Sequence, residues 1–154
     1  MRHDEHLLPW YNRHAGERTF IVGSGHSLND VPRHLLYALN NEVTWVVNWA
    51  TRCTDNILQP TYFACSEAKR LPRMLDEVAK LPSLKAKFYA HREPLHDYVG
   101  WTWLPRDNDL TIEAGDFAGL DGPEFEWSAN GHSVIYDVCV QLSAYMGFRE
   151  IYLV

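Results

Sequence analysis

The sequence predicts an α/β fold in which helices cover both faces of an open, mainly parallel sheet. Short runs rich in β-branched and aromatic residues alternate with segments whose apolar residues recur at helical spacing. One run, residues 42–49 (EVTWVVNW), is almost continuously apolar, as expected of a strand buried on both faces of a parallel sheet. With 154 residues and 46% apolar content, the chain can bury a core of its own. The predicted architecture is Rossmann-like, and ligands are expected outside the carboxyl ends of the strands.

The first half of the chain predicts three strands and two helices. The strands are residues 19–22, 42–49 and 60–65, and the helices are residues 31–39 and a segment around Leu71, Met74, Leu75 and Val78. Asn29 and Asp30 are good helix-capping residues ahead of the first helix, and Pro72 suits the first turn of the second.

The second half predicts a fourth strand at residues 87–91, followed by alternating Val99, Trp101 and Trp103, which fit either an edge strand or an extended surface segment. Residues 105–127 are acidic and contain several glycines, so they are expected to form a loop or lid. A strongly apolar helix is predicted from Ser133 to about Met146, closed by Gly147. Within it, Ser133, Asp137 and Gln141 share one stripe at i, i+4 spacing.

A last strand begins at residues 149–154 (REIYLV). A core strand is an unusual place for such a sheet to stop, so the domain is expected to continue past Val154. The predicted organisation is an N-terminal extension at residues 1–17 and a nucleotide-binding domain at residues 18–154, incomplete at its C-terminal side.

Charge and composition argue against several classes of protein. The net charge is −6, and Lys and Arg form no basic run, so nucleic acid is not expected as a partner. The three cysteines show no C-x-x-C spacing and are expected to be reduced thiols of a cytoplasmic protein. No apolar run approaches the ~20 residues of a membrane-spanning helix, and no signal peptide is recognised at the N-terminus.

The turn Gly23-Ser24-Gly25-His26-Ser27 follows the first predicted strand. Its glycines permit positive φ angles and a close backbone approach, and the N-terminus of a following helix favours an anion such as a diphosphate. The turn lacks the third glycine of G-x-G-x-x-G, and no Gly-Lys-Ser/Thr follows it. A tight strand-to-helix corner without a ligand explains the same residues.

Three further groups of polar residues are expected at the same edge of the sheet: Asn48, the pair Ser66 and Glu67, and the turn Asn130-Gly131-His132-Ser133. An amide can read a base or ribose edge, a carboxylate can accept from a hydroxyl, and the Gly-His-Ser turn can donate to a phosphate. The alternatives are a strand-end turn residue for Asn48, a solvated helix start for Glu67 and a helix N-cap for Ser133.

Candidates for proton transfer and for metal binding are few. His26, His132 and Glu67 are the candidate catalytic residues, the histidines because imidazole titrates near neutral pH. The eight histidines show no helical zinc spacing. Asp107 and Asp109 could hold Mg²⁺, although acidic loops are more often simply solvated.

Several of these stretches together resemble known families. Residues 20–28 (FIVGSGHSL) resemble the G-x-G-P-S-L turn of the 6-hydroxymethylpterin diphosphokinase-like family and of the related Campylobacter-type bacterial sialyltransferases. Residues 131–153 resemble their G-S-V helix and the L-G-y-k-e-I-y-L strand that follows it, and residues 59–66 (QPTYFACS) are similar to their k-P-D-y-y-v-s-D strand. Asn48 matches an asparagine at the end of the strand before. The order agrees over residues 18–154, apart from residues 85–127.

The resemblance implies that a nucleotide binds at these elements, either the CMP of a sugar donor or the ATP of a diphosphokinase. By resemblance, the pocket is lined by Gly23, Ser24, Gly25, Ser27, Asn48 and Ser133. His26 replaces the usual proline, Ser66-Glu67 stands where an aspartate or asparagine is typical, and the G-x-D stretch after the last strand is absent. In the sialyltransferases the catalytic histidine and a leaving-group tyrosine lie in that absent part.

The activity implied first is glycosyl transfer from a nucleotide sugar to a glycan or small-molecule acceptor. The alternatives are diphosphoryl transfer from ATP, assisted by Mg²⁺, and a nucleotide-binding or assembly module without turnover. A homo-oligomer is compatible with all three.

Overall fold

The computed structural model describes residues 5–53, 57–66, 70–91, 95, 97–105 and 133–154. They form one six-stranded sheet in the order β5-β4-β3-β2-β1-β6, in which every pairing is parallel. The strands are β1 (Arg18–Val22), β2 (Val43–Val47), β3 (Tyr62–Cys65), β4 (Ala86–His91), β5 (Thr102–Pro105) and β6 (Glu150–Leu153). The predicted open, parallel α/β sheet is confirmed, and the alternating tryptophans precede and join β5 as an edge strand.

The helices are short. They are α1 (Arg33–Ala38), α2 (Ala50–Cys53), α3 (Leu71–Ala79) and α4 (Gln141–Tyr145), with 3₁₀ helices at Glu5–Trp10, His26–Asp30 and Leu39–Asn41 and a π-helix at Ile135–Val140 that runs directly into α4. Gly147 closes α4 with a φ of 83°, as its position in the sequence predicts.

Two apolar clusters, one on each face of the sheet, confirm that helices cover both sides. Because successive side chains of a strand point to opposite faces, Trp45 and Val46 belong to different clusters. Trp45 packs with α4 residues such as Leu142, whereas Val46 packs with Leu36 of α1 and Met74 of α3. On α3 the buried positions Leu71, Met74 and Val78 follow helical spacing.

The structure corrects the predicted helix after the glycine turn. Asn29 and Asp30 lie inside the 3₁₀ helix His26–Asp30 and do not cap the next helix. α1 begins at Arg33 after Pro32, and no side chain caps it. Val31, which precedes Pro32, is extended at a φ of −72° and a ψ of 121°, as a residue before proline favours, so one predicted helix is divided into two short ones.

Residues 12–17, which we call the N-terminal clasp, belong to the region predicted as an extension and pack against the end of α4. Three backbone amides hold them there: Asn12 N donates to Tyr145 O at 3.1 Å, His14 N to Met146 O at 2.8 Å and Gly16 N to Gly147 O at 2.9 Å. Just before the clasp, the ring of Trp10 meets that of Phe88 edge to face, at a centroid distance of 5.1 Å. The clasp therefore ties the start of the described chain to the α4–β6 junction.

The acidic loop predicted at residues 105–127 lies outside the described residues from position 106 onward. Among the residues that are described, no helix is long and apolar enough to cross a membrane.

Candidate functional site

The strand order reverses between β1 and β6, and this places two chain segments at one point of the carboxyl edge. From β1 the sheet runs through β2 to β5 on one side, while β6 lies on the other. α1, which follows β1, packs on one face, and the π-helix and α4, which precede β6, pack on the opposite face. In open α/β sheets the crevice at such a reversal is where ligands bind.

Gly23 lies in this crevice and is closely surrounded. Its N–H donates to the carbonyl oxygen of Val154, which follows β6, at 2.9 Å. A Cβ added at Gly23 would lie 3.3 Å from Cδ1 of Ile135, the first residue of the π-helix, and 3.5 Å from the Val154 oxygen. The glycine turn, the start of the π-helix and the end of β6 are thus in direct contact. The expected approach of this backbone to an anion stays a prediction.

The backbone of the turn differs from the prediction in one respect. Gly25 has a φ of −67°, an ordinary extended conformation, and neither Gly23 nor Gly25 is among the glycines with positive φ. The expected attraction of an anion by the dipole of the following helix is also weaker, because the turn leads into a 3₁₀ helix of only five residues. Ser24, His26 and Ser27 are exposed. The turn leaves their side chains accessible from solvent.

Ser133 lies where the opposite wall of the crevice begins. Its Oγ accepts a hydrogen bond from the backbone N–H of Tyr136 at 3.3 Å, so Ser133 caps the first turn of the π-helix. The next residue, Val134, is buried in the cluster under α4. The capping role suggested as the alternative for Ser133 is therefore present, and it fixes where the first helical N–H groups stand relative to Gly23.

Asn48 follows β2 in a left-handed conformation, with a φ of 47°. Its N–H donates to Ala64 O at 3.1 Å, and its carbonyl oxygen accepts from Thr51 Oγ1 at 3.5 Å. Its side-chain Oδ1 is buried and has no hydrogen-bond partner among the described residues. Buried acceptors without a partner are rare and costly in native proteins, so this oxygen calls for a donor from beyond the described residues, either elsewhere in the chain or on a ligand.

Asn48 belongs to the same edge as the glycine turn. Val22 pairs with Val46 in the sheet. Asn48 therefore stands two residues past Val46 on β2, as Ser24 stands two residues past Val22 on β1. Three of the predicted positions therefore lie at the carboxyl edge: the glycine turn and the start of the helix after Ser133, which are in contact, and Asn48 at the end of the neighbouring strand.

No family model, curated protein or solved structure matches this chain at a significant level. The family resemblance thus rests on the sequence motifs alone, and the site rests on the geometry of the carboxyl edge.

The remaining predicted site residues are only partly described. Ser66 follows β3 and is buried. Glu67, Asn130, Gly131 and His132, together with the metal candidates Asp107 and Asp109, lie outside the described residues. Within the described ranges no group of three His, Cys, Asp or Glu side chains could hold a metal ion.

Burial makes Cys139 a poor nucleophile. Cys65 at the end of β3 and Cys139 in the π-helix are both buried and take part in no disulfide among the described residues. Burial raises the pKa of Cys139 well above its ordinary value, so its thiol stays protonated at neutral pH.

A groove of about 530 Å³ also lies at the opposite, amino edge, where its lining residues precede or begin β1 to β4. Several of its polar groups already have partners within the chain: Asn40 donates to Ile57 O at 2.8 Å and accepts from Gln59 N at 2.7 Å. Arg18 pairs with Glu42, and the hydrogen bond from the guanidinium lowers the pKa of that carboxyl. These polar side chains hold the starts of the strands in place, so the carboxyl edge is the stronger candidate for a ligand-binding site.

Sequence reasoning missed the contributions of Ile135 and Val154 to the crevice. Both touch Gly23, but neither belongs to a residue type that signals a site. The π-helical winding at Ile135–Val140 was missed as well, because its composition is that of any buried helix. Since π-helices bond residues five apart, the predicted i, i+4 stripe from Ser133 does not carry through this segment.

Proposed function

We propose that the carboxyl edge between β1 and β6 binds a nucleotide and that the chain is a nucleotide-dependent transferase domain. One observation carries the proposal: at the reversal of strand order, Gly23 contacts the start of the π-helix, and the neighbouring strand end offers the buried Oδ1 of Asn48, which has no hydrogen-bond partner within the described part of the chain. A close backbone approach suits a phosphate group, and an unpaired amide oxygen suits a ribose hydroxyl or a base amine.

Each element has a separate part in this proposal. The Gly23 N–H already donates to Val154 O, so the ligand's phosphates would meet the main chain of the exposed turn residues 24–27, and the first turn of the helix that Ser133 caps would add to the positive potential there. Asn48 accepts a hydrogen bond from the nucleoside. Stabilising the negative charge that develops on a departing nucleotide is then the chief catalytic contribution of this edge.

Glycosyl transfer from a nucleotide sugar is the reaction we favour. The support is the likeness of residues 147–153 (GFREIYL) to the sialyltransferase motif, together with the glycine turn. Diphosphoryl transfer from ATP uses a similar site and is supported by the likeness of residues 59–66 to the diphosphokinase strand. Both readings place the nucleotide at the same crevice, so one binding experiment separates them.

The experiment is a thermal-shift series with CMP, CDP, UDP, GDP and ATP, each with and without Mg²⁺. A ligand at 100 times its dissociation constant stabilises the folded chain by about 2.7 kcal/mol, which is readily measured. A shift with CMP that needs no metal supports glycosyl transfer, whereas an ATP shift that requires Mg²⁺ supports diphosphoryl transfer. No shift with any nucleotide contradicts both.

Two variants locate the response. Asn48→Gly removes the proposed acceptor while accommodating the positive φ, and we expect it to abolish or greatly weaken the nucleotide shift. Asn41→Gly makes the same substitution at the amino edge, and we expect the shift to persist. Release of free nucleotide from a nucleotide sugar then reports turnover, and binding without release supports a module that does not catalyse.

A further inference from the structure

The outer side of β6 is an open edge of the described sheet, because β6 pairs with β1 on one side and with no described strand on the other. Val154 N donates to Ile21 O at 2.9 Å, and Gly23 N donates to Val154 O at 2.9 Å, so both main-chain groups of Val154 face β1. Successive residues of a strand turn these groups to opposite sides. The N–H and C=O groups of Ile151 and Leu153 therefore face the open edge, where another strand can pair with them.

The two edges of the sheet differ in how far they are protected. β5 ends at Pro105, whose nitrogen cannot donate a hydrogen bond, and its Leu104 is fully buried. β6 contains neither proline nor lysine, and its Tyr152 and Leu153 are 43% and 66% exposed. Proteins commonly protect an exposed edge strand with such residues. Of the two edges, β6 is therefore the one suited to pairing with a further strand.

The exposed ring of Tyr152 is held in place by its neighbours. It stacks on Phe20 of β1 at a centroid distance of 4.9 Å and an interplanar angle of 16°, and its hydroxyl donates to Oε2 of Glu150 at 2.5 Å. These contacts already restrict the side chain, so less conformational freedom is lost when a partner packs against it. The Glu150 carboxylate has a donor on its own strand, so an approaching strand does not leave this charge without a hydrogen bond.

We propose that β6 pairs with β6 of a second copy of the chain, antiparallel about a two-fold axis, and that the two sheets join into one in a weak homodimer. The argument for a second copy is that this strand is complementary to itself. With the axis at Tyr152, Ile151 of each copy lies opposite Leu153 of the other, and these are the residues whose main-chain groups face the open edge.

The side chains match in the same register. On one face of the joined sheet, Tyr152 lies opposite its counterpart at a non-hydrogen-bonded position, where opposed side chains come closest. On the other face, Ile151 lies beside Leu153. Aromatic and aliphatic cross-strand pairs of this kind are stabilising, and Glu150 lies opposite Val154, so no charge opposes one of the same sign.

The dimer is expected to be weak. Each β6 has four residues, so the interface lies below about 1,200 Å², the range of transient complexes, and we expect a dissociation constant of about 100 µM. Each copy carries a net charge of −6, so the two copies repel each other at long range. Salt screens this repulsion, and added salt should therefore strengthen the dimer.

Sedimentation equilibrium of the full chain between about 10 µM and about 1 mM tests the proposal. The mean mass should rise from 17.8 kDa toward twice that value as the concentration increases. In a mixture of isotope-labelled and unlabelled chains, an NOE should join the Tyr152 Hα protons of the two copies, which face each other in this register. A mass of 17.8 kDa at every concentration overturns the proposal, and so does a dimer without this NOE.

Three variants test whether β6 forms the contact. Tyr152→Lys places two positive charges opposite each other, and we expect the dissociation constant to rise at least about tenfold. Leu153→Pro removes an N–H that faces the open edge, spares the hydrogen bonds to β1 and should weaken the dimer similarly. Tyr37→Lys makes the same charge change at a 67% exposed tyrosine of α1 and should dimerise as the wild type. If both β6 variants dimerise like the wild type, the assignment to β6 is wrong, and the NOE tests it in the wild type whether or not the variants fold.

Discussion

Replacing Asn48 by glycine tests whether its side-chain oxygen is a ligand contact that is unpaired when no ligand is bound. The substitution removes the buried Oδ1, which lacks a partner among the described residues, and places at a φ of 47° the residue that best tolerates that conformation. Most substitutions of partly buried polar residues destabilise a protein. Here we expect the opposite in the absence of ligand.

The expected magnitude follows from three contributions. Removing an unpaired buried acceptor stabilises by about 1–3 kcal/mol. Relief of the left-handed conformation adds up to about 1 kcal/mol, less for asparagine than for most residues. The greater freedom of glycine in the unfolded chain offsets about 0.5–1 kcal/mol. The free energy of unfolding should therefore rise by about 1–2 kcal/mol, which for a chain of this size raises the Tm by about 2–8 °C.

The assay is thermal and urea unfolding of the wild type, Asn48→Gly and Asn48→Ala. Alanine removes the same atoms but is strained at positive φ, so it should be less stable than the glycine variant by about 1 kcal/mol or more. If Asn48→Gly is less stable than the wild type by more than about 1 kcal/mol, Oδ1 has a partner within the protein and the reasoning fails. Stabilisation combined with loss of the nucleotide shift would identify Asn48 as a ligand contact.

Three other predictions concern the fold. Gly147 has a φ of 83°, and the Cβ of Gly147→Ala would lie 3.1 Å from Cα of Ala15, whereas Gly16 has a similar φ and open space around it. In urea unfolding, Gly147→Ala should therefore lower the free energy of unfolding by about 2 kcal/mol more than Gly16→Ala. Equal losses would contradict the close contact. Met74→Ala leaves a cavity at a fully buried position and should lower the free energy of unfolding by about 2–5 kcal/mol. The neighbouring Leu75 is 37% exposed, and Leu75→Ala should lower it by less than about 1 kcal/mol. Burial raises the pKa of Cys139, so the buried neutral thiol stabilises the folded chain below the ordinary thiol pKa, and this contribution is lost as the pH rises. The thiol should react with a disulfide reagent only as fast as the chain opens. Rapid reaction at neutral pH would refute its burial.

Local composition could predict the helices and strands in which buried residues follow a regular pattern along the chain. The β-branched run at residues 42–49 contains β2 (Val43–Val47) because a strand covered on both faces needs apolar side chains at every position. Likewise, Leu71, Met74 and Val78 identify α3 because only one face of that helix is covered. The carboxyl-edge positions of Gly23 and Asn48 follow from the parallel pairing.

Other features depend on packing between distant segments. The clasp is held by main-chain amides, which have no side-chain pattern to read. The position of β6 beside β1 depends on which face α4 covers, and periodicity does not encode strand order. The left-handed conformation of Asn48 was not predictable from a strand-end position, because it reflects the start of α2 two residues later. The hydrogen bond between the His14 imidazole and the Tyr62 hydroxyl likewise joins residues that are remote in sequence.

The position of β1 between β2 and β6 has a consequence for how the chain acquires its structure. β1 pairs with β2 through neighbours nearby in sequence, Thr19 with Val43, but its other edge pairs only with β6, Arg18 with Glu150. During synthesis from the N-terminus, the second edge of β1 stays unpaired until nearly all the described residues have emerged. Contacts of such long sequence separation slow folding, so the β1–β6 pairing is expected to form late. Until it forms, the unpaired edge of β1 is exposed and can associate with other chains.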